Sequence, residues 1–199
     1  KQDADALAAE VSLDRRVFDA LAAIDASGAD AETTFFLQKT LRDFRLAGVD
    51  RDEATRNAIR ALRDEITTIG QAFDRNIRTD ARTVTATNVA ELDGLPADFI
   101  ARHTPNADGT ITLSIEYPDS QPVMAYAKSE ALRKRMYQAT SNRAYPANME
   151  VLDRLIAKRA ELASKLGFAS WAAYATADKM MATAENASAF IDRIMGHHD

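Results

Sequence analysis

The three histidines, His103, His197 and His198, are the side chains best suited to bind a transition metal or to transfer a proton near neutral pH. None lies four residues from another, and none follows a glutamate by three residues, so the H-E-x-x-H and E-x-x-H metal motifs are absent. We interpret His103 as a helix-end cation or a loop residue. His197, His198 and Asp199 could bind a metal only adventitiously, at a chain end. We therefore predict no catalytic and no metal-binding residue in this sequence.

Other motifs for catalysis are missing as well. The sequence has no cysteine, which excludes a thiolate nucleophile, a Cys-ligated zinc and a disulfide. The G-x-S-x-G elbow and the glycine-rich phosphate loops do not occur. Because the chain has 30 aspartates and glutamates, some pair will lie close by chance, and spacing does not single out an acid and a base.

A run of basic residues is the one patch with a binding chemistry of its own. Forked guanidinium contacts could hold a carboxylate, for instance the C-terminus of a peptide. The other interpretation, which we adopt, is a solvated helix face or ion pairs with Glu130 and Glu150. The basic residues are Lys128, Arg133, Lys134, Arg135 and Arg143.

Methionines and tyrosines form a second set, which we interpret as core or channel lining rather than as a cofactor site. The residues of this set are Met124, Met136, Met149, Met180, Met181, Tyr126, Tyr137, Tyr145 and Tyr174.

Composition narrows the class of partner. The formal net charge of -5 gives no basic surface for nucleic acid or for an anionic membrane. With 46% hydrophobic and 28% charged residues, the chain has the balance of a globular protein. No apolar run approaches the roughly 20 residues of a membrane span. We expect a cytoplasmic protein, with the periplasm as the alternative.

The apolar pattern of the first 80 residues predicts helices. A first helix should cover residues 13 to 25, with a Ser12 cap and with Val17, Leu21 and Ile24 at helical spacing. The second should begin after Asp30 and end at a left-handed glycine.

Gly48 is that glycine, and the tight link there predicts a helical hairpin. The third helix should start at a capping box formed by Asp50 and Glu53 and end at Thr79. The apolar faces of the second and third helices comprise Phe36, Leu37, Leu41, Phe44, Ile59, Leu62, Ile66, Ile69, Phe73 and Ile77.

The middle of the chain changes to the two-residue period of strands. Residues 83 to 87 and 111 to 115 alternate apolar and polar side chains, which predicts an antiparallel ribbon at about residues 80–117. A short helix should start near Pro96 and end before Pro105.

Helices return after the ribbon. Pro122 should start a helix that runs to about Thr140 with Val123, Tyr126, Leu132 and Met136 towards the core, and Pro146 should start the next one. The predicted inward residues of that helix are Met149, Leu152, Leu155, Ile156, Leu162, Ala163 and Leu166.

The last predicted helices are marked by their caps. Gly167 should end one helix, with Phe168 packed back on it, and Ser170 should cap the next. Thr183 should cap the last, whose inward residues would be Ala187, Phe190, Ile191 and Ile194. The predicted fold is mainly α, a multi-helix domain with helical hairpins and a small antiparallel β-ribbon, and residues 1–199 form one domain.

Eight segments of the sequence stand together as a set: LRDFRLAG (41–48), FDRNI (73–77), ELDGLPADFI (91–100), YPDSQPVM (117–124), LRKRMYQA (132–139), NRAYPAN (142–148), KRAELASKLGFASWAAY (158–174) and DKMM (178–181). In their order and spacing they resemble the N-terminal, non-catalytic part of M3 family zinc metallopeptidases, of the thimet oligopeptidase, oligopeptidase A and dipeptidyl carboxypeptidase type. The resemblance covers about residues 36 to 195.

This resemblance implies a two-lobed helical enzyme in which a deep channel admits short peptides to a zinc ion. In that family the zinc is held by the histidines of H-E-x-x-H and a downstream glutamate, residues that this sequence lacks. No catalytic or zinc-binding residue is therefore transferred, and the substrate-binding residues stay unknown. Arg133, Tyr137, Arg143 and Arg159 match the family pattern as structural residues.

We thus expect a fragment that forms one channel wall, is inactive alone, and belongs to a longer polypeptide. Its partners would be short peptides and the C-terminal catalytic lobe of the same polypeptide. The alternative is a stand-alone, non-enzymatic helical module that binds peptides or a protein. A degenerate relative, kept as an inhibitor or scaffold, is a third interpretation. The sequence encoded after Asp199 distinguishes them, since only the peptidase requires an H-E-x-x-H motif there.

Overall fold

The computed structural model describes residues 7–8 and 10–197, and their contacts form two compact units. The first unit comprises the described residues of Lys1–Gly70 and Asp153–Asp199, and the second comprises Gln71–Leu152. That residues 1–199 form one domain stays a prediction.

The predicted fold class, mainly α with a small antiparallel ribbon, is confirmed. The helices whose bounds are described are α1 (Arg15–Ala22), α2 (Ala31–Ala47), α3 (Glu53–Thr79), α4 (Ala97–Arg102), α5 (Tyr117–Tyr126), α6 (Glu130–Ser141), α7 (Ala147–Lys165), α8 (Trp171–Thr176) and α9 (Ala184–Met195). The strands are β1 (Thr83–Ala86) and β2 (Ile111–Ser114), and a 3-10 helix covers Val89–Leu92.

Helix α1 begins two residues later than predicted. The carboxylate of Asp14, not the hydroxyl of Ser12, accepts a hydrogen bond from the Arg16 backbone nitrogen at 2.8 Å. Its buried residue is Phe18, while Val17 is exposed. Ile24 is exposed because it lies beyond the end of the helix.

The link from α2 to α3 depends on a left-handed glycine, as predicted. Gly48 has φ +97°, and its backbone N–H donates to Arg45 O while that of Val49 donates to Phe44 O. These two bonds form a Schellman motif, which satisfies carbonyls that the helix end would leave unpaired.

Both helices around this link have side-chain caps. Asp30 caps α2 as predicted, with its carboxylate 2.7 Å from the Thr33 backbone nitrogen. The cap of α3 is Asp52, which accepts from the Thr55 backbone nitrogen at 2.9 Å, so the predicted box of Asp50 and Glu53 is wrong.

The junction between α7 and α8 repeats the same device. Gly167 has φ +86°, its N–H donates to Ser164 O, and the N–H of Phe168 donates to Ala163 O. Ser170 then caps α8 by accepting from the Ala173 backbone nitrogen at 3.1 Å. The predicted stop, back-packing residue and cap are confirmed.

A long-range contact closes this junction. Nη2 of Arg51 donates to the carbonyl of Leu166 at 2.5 Å. Leu166 also belongs to the core of the first unit. That core consists of Leu13, Ile59, Leu62, Leu162 and Leu166, with Ile66, Phe168, Trp171 and Tyr174 packed on its edge.

The second unit is built on the ribbon. Strands β1 and β2 pair antiparallel, with Val84 opposite Leu113 and Ala86 opposite Ile111, as the alternating pattern predicts. These inward residues belong to the core of the second unit. Its other members are Leu92, Leu95, Phe99, Ile115, Val123, Ala127, Leu132 and Met136.

The helix predicted from Pro122 to Thr140 is instead two helices. Pro122 lies inside α5, which begins at Tyr117, and α6 begins only at Glu130. The separation has a local cause, because the hydroxyl of Ser129 caps α6 by accepting from the Leu132 backbone nitrogen at 3.2 Å. The guanidinium of Arg133 donates to the backbone carbonyls just before that cap.

The predicted inward faces of the helices after the ribbon are only partly right. Val123, Leu132, Met136, Leu155, Leu162, Ala163 and Leu166 are buried as predicted. Tyr126, Met149, Leu152 and Ile156 are exposed, which contradicts the prediction. Phe36 of α2 is exposed too.

Helix α9 begins after Thr183, whose hydroxyl accepts from the Asn186 backbone nitrogen at 3.1 Å, as predicted. None of its described residues is buried, however, so the predicted inward face of Ala187, Phe190, Ile191 and Ile194 is wrong.

Polar side chains tie the second unit together. The carboxylate of Glu91 accepts from the Thr87 backbone nitrogen at 2.7 Å and from Nη2 of Arg135 on α6 at 2.6 Å. The hydrogen bond from Arg135 lowers the pKa of Glu91.

The first prediction concerns Gly48. A Cβ at this position would lie 2.7 Å from Cδ1 of Ile59 and 2.8 Å from Cδ2 of Leu166, and the positive φ adds backbone strain. We expect Gly48→Ala to lower the free energy of unfolding by about 1–3 kcal/mol. Urea denaturation followed by circular dichroism measures this change.

Gly28→Ala is the matched control, because no atom lies within 4 Å of its Cβ position. This control should change stability by no more than about 0.5 kcal/mol. Equal effects of the two substitutions would contradict the packing described at Gly48.

The second prediction concerns Glu91. Since its pKa is lower in the folded chain than its ordinary value of 4.5, the ionised form favours folding. That contribution is complete above pH 4.5 and is lost as the pH falls through the lowered folded value. Glu91→Gln should therefore cost about 1–3 kcal/mol at pH 7, and the difference from the native chain should shrink below pH 4.5.

Urea denaturation at pH 7 and at pH 3.5 measures this difference. Glu130→Gln is the control, because Glu130 is exposed and at the start of α6, where its charge contributes only a few tenths of a kcal/mol. A cost for Glu91→Gln that does not change with pH would show that the ion pair does not contribute.

Candidate functional site

The described residues do not fit a zinc centre. Within 7–8 and 10–197, no group of three or more His, Cys, Asp or Glu side chains is placed to hold a metal ion. Both ring nitrogens of His103 already face protein oxygens, since Nδ1 lies 2.8 Å from Phe99 O and Nε2 lies 3.0 Å from Oδ1 of Asp119. His197 lies in the turn after α9, while His198 and Asp199 lie outside the described residues.

His103 has a structural role at the end of α4. Its ring stacks on Phe99 at 4.2 Å between centroids. The same Asp119 carboxylate accepts hydrogen bonds from the backbone nitrogen and the hydroxyl of Ser114 at the end of β2. The histidine therefore joins a helix end to the ribbon.

Three of the five basic residues of the run, Lys128, Arg135 and Arg143, form ion pairs within the second unit. Nζ of Lys128 lies 3.1 Å from Oδ2 of Asp93, and Nη2 of Arg135 lies 2.6 Å from Oε2 of Glu91. The predicted ion-pair partners Glu130 and Glu150 are wrong, because they do not form these pairs.

Two further arginines of this run bind the backbone of their own unit. Nη2 of Arg143 lies 2.6 Å from Oε1 of Glu116, and its Nε donates to Ile77 O at 2.8 Å. Arg133 donates to the backbone before α6, and Lys134 is exposed on that helix. The run therefore offers no preformed guanidinium fork for a carboxylate.

The methionines and tyrosines do not form one lining. Met136 is buried in the core of the second unit, and Met181 and Tyr174 are half-buried in the first unit. The exposed members of the set are Met124, Met149, Met180, Tyr126, Tyr137 and Tyr145. Of the residues matched to the family pattern, Arg159 lies 5.3 Å from the ring centroid of Trp171.

Helix α9 exposes an apolar face in the first unit. It consists of Phe190, Ile191, Ile194 and Met195, whose exposed fractions are 40%, 59%, 54% and 64%. We call these four residues the α9 face. Their spacing is that of a buried helix stripe, yet none of the four is buried.

A pocket of about 420 Å³ lies in the first unit and was not predicted from the sequence. We call it the α2–α8 pocket. No motif marks it, because its lining comes from four separated segments. The lining residues are Ser12, Asp43, Leu46, Ala47, Arg63, Tyr174, Ala175, Asp178 and Lys179.

Of the described helices, none is both long enough and apolar enough to cross a membrane.

Comparison with known proteins gives consistent matches. The family model for peptidase family M3 matches residues 123–199. Oligopeptidase A of Escherichia coli is 30% identical over 170 residues, which cover 78% of this chain and 25% of that protein. Oligopeptidase PhomG of Diaporthe leptostromiformis is 32% identical over 170 residues, which cover 83% of this chain and 23% of that protein. Saccharolysin of Saccharomyces cerevisiae is 30% identical over 161 residues, with 78% and 22% covered.

The chain thus spans about a quarter of the length of these curated relatives. The matched part includes the junction of α7 and α8, with its two caps and its glycine, which the sequence resemblance also covers. From the family model and these relatives together, the chain belongs to peptidase family M3.

Proposed function

We propose that this chain is the N-terminal, non-catalytic lobe of a zinc-dependent oligopeptidase that hydrolyses short peptides. Membership of peptidase family M3 supports the reaction class, and the relatives' names supply the preference for oligopeptides. The described residues do not fit a zinc site, so we assign the zinc ligands and the catalytic groups to other parts of the natural polypeptide.

The observation that carries this proposal is the α9 face. Burying an Ile or Phe side chain completely stabilises a protein by roughly 1.5–3 kcal/mol. In α9, about half of that contribution is unused, because the four side chains remain 40% to 64% exposed. A contiguous apolar surface of this kind marks an interface. We assign it to contact with the catalytic lobe of the same polypeptide.

The role we propose for the lobe is to form one wall of a channel that admits short peptides and excludes folded proteins. Such a wall must keep its shape while peptides pass. The ion pairs of Glu91 with Arg135 and of Glu116 with Arg143 hold the second unit in one arrangement, which suits this role. We propose the cytoplasm as the compartment.

The stand-alone peptide-binding module has less support. That interpretation relied on the basic run and on the methionine and tyrosine set acting together. Three of the five cations of the run are paired with Asp93, Glu91 and Glu116, and the methionine and tyrosine set is divided between core and surface.

The proposal makes a direct prediction about activity. The 199-residue chain, supplied with zinc, should cleave a quenched fluorescent peptide of eight to ten residues no faster than the buffer does. The natural polypeptide extended through an H-E-x-x-H motif should cleave the same peptide, and a chelator should abolish that activity. Chelator-sensitive cleavage by the 199-residue chain would contradict the assignment of the zinc site elsewhere.

Another prediction of the proposed function concerns the α9 face. Ile191→Asp should scarcely change the stability of the 199-residue chain, because Ile191 is already 59% exposed. In the extended polypeptide it should lower the free energy of unfolding by about 2 kcal/mol or more, because a carboxylate would be buried without a partner. Thermal denaturation of both polypeptides measures the two effects.

Ala189→Asp is the matched control, because Ala189 is exposed on the opposite side of the same helix. It should have little effect in either polypeptide. If Ile191→Asp and Ala189→Asp behave alike in the extended polypeptide, the α9 face is not an interface there.

A further inference from the structure

The α2–α8 pocket has the size and composition of a small-molecule site. Its volume of about 420 Å³ falls within the roughly 300–1,000 Å³ of ligand pockets. All its lining residues belong to the first unit. The apolar residues of the lining are Leu46, Ala47, Ala175 and Tyr174. Four further lining residues are charged.

The tyrosine of the lining is held in place. The ring of Tyr174 packs against Phe168 at 5.3 Å and against Trp171 at 5.4 Å between centroids. Both partners lie at the edge of the core of the first unit. The shape of this wall therefore exists before any ligand arrives, which reduces the entropy lost on binding.

The cation of the pocket is Arg63, and its charge is not neutralised. Nη2 donates to Ala47 O at 3.1 Å and Nη1 donates to the hydroxyl of Ser12 at 3.4 Å. Both acceptors are neutral, and no carboxylate of the described residues forms an ion pair with Arg63. The two contacts fix the guanidinium in position and leave its charge available for an anionic group.

Two carboxylates line the same pocket. The hydrogen bond from Lys179 lowers the pKa of Asp178. Burial alone would raise the pKa of Asp43, but the hydrogen bonds from Arg42 and Lys39 outweigh it and lower that pKa. Both carboxylates are therefore ionised at neutral pH and can accept hydrogen bonds from an ammonium group.

The lining carries two cations, Arg63 and Lys179, and two anions, Asp43 and Asp178, and Asp43 also pairs with Lys39 and Arg42 outside the lining. A simple anion would meet the two carboxylates, and a simple cation would meet Arg63 and Lys179. A ligand with both charges is attracted at both ends. We propose that the α2–α8 pocket binds a small zwitterion, a free amino acid or an unblocked dipeptide, with its carboxylate on Arg63 and its ammonium group on the aspartates.

The test is isothermal titration calorimetry with the natural polypeptide that contains this chain, in the presence of a chelator so that no peptide is hydrolysed. The probes are leucine, alanyl-leucine, N-acetyl-alanyl-leucine and alanyl-leucine amide. Comparing leucine with alanyl-leucine shows whether the pocket prefers a free amino acid or an unblocked dipeptide. Removing either charge from the dipeptide should weaken binding roughly tenfold or more, because each contact is a charge-assisted hydrogen bond.

Substitutions then locate the binding. Arg63→Gln should abolish discrimination between the free carboxylate and the amide, whereas Arg60→Gln, on the same helix but outside this lining, should not. Ala175→Phe should fill the pocket without altering Arg63, and its control is Ala172→Phe on the exposed side of α8. Circular dichroism checks that each variant is folded.

Unchanged binding in both Arg63→Gln and Ala175→Phe, or equal affinity for the free and blocked dipeptides, would overturn the proposal. Absence of binding by both leucine and alanyl-leucine would overturn it as well. These measurements do not depend on peptidase activity. The proposal for the pocket can therefore be contradicted while the proposed function holds, and the proposed function can be contradicted while the pocket still binds its ligand.

Discussion

The guanidinium of Arg51 joins two parts of the first unit that are more than a hundred residues apart in the sequence. It donates at 2.5 Å to the carbonyl of Leu166, which follows the last residue of α7. Such carbonyls have no partner within the helix and must be satisfied from outside. Because Arg51 follows Gly48 so closely, this bond fixes the start of α3 against the end of α7.

The two left-handed glycines follow from that contact. A Cβ at Gly167 would lie 2.6 Å from Nη2 of Arg51, and a Cβ at Gly48 would lie 2.8 Å from Cδ2 of Leu166. Each glycine therefore ends a helix and also leaves room for a side chain, that of Arg51 at Gly167 and that of Leu166 at Gly48. The junction of α7 and α8, and with it the aromatic wall of the α2–α8 pocket, depends on this close approach.

Local signals in the sequence predicted local structure well. The caps at Asp30, Ser170 and Thr183 and the stops at Gly48 and Gly167 were predicted because each depends on neighbours a few residues away. Predictions failed where two local signals competed for the same helix start, or where the ion-pair partner of a residue is distant in the sequence. The sequence predicts a helix start at Pro122, although Pro118 and the Ser129 cap define the helices around it. The partners of Arg135 and Arg143 lie 44 and 27 residues away, and spacing on one helix cannot identify them.

The α9 face shows the limit of amphipathic pattern most clearly. The spacing of Phe190, Ile191 and Ile194 indicates that this side of the helix is to be covered, and the prediction placed it in the core of the chain itself. The periodicity does not specify which segment covers this face. The same apolar spacing occurs whether the packing partner is close in sequence or hundreds of residues away. The second unit, by contrast, covers its own core and pairs most of its basic run internally. Under the proposed function, the α9 face is the surface that the catalytic lobe would cover.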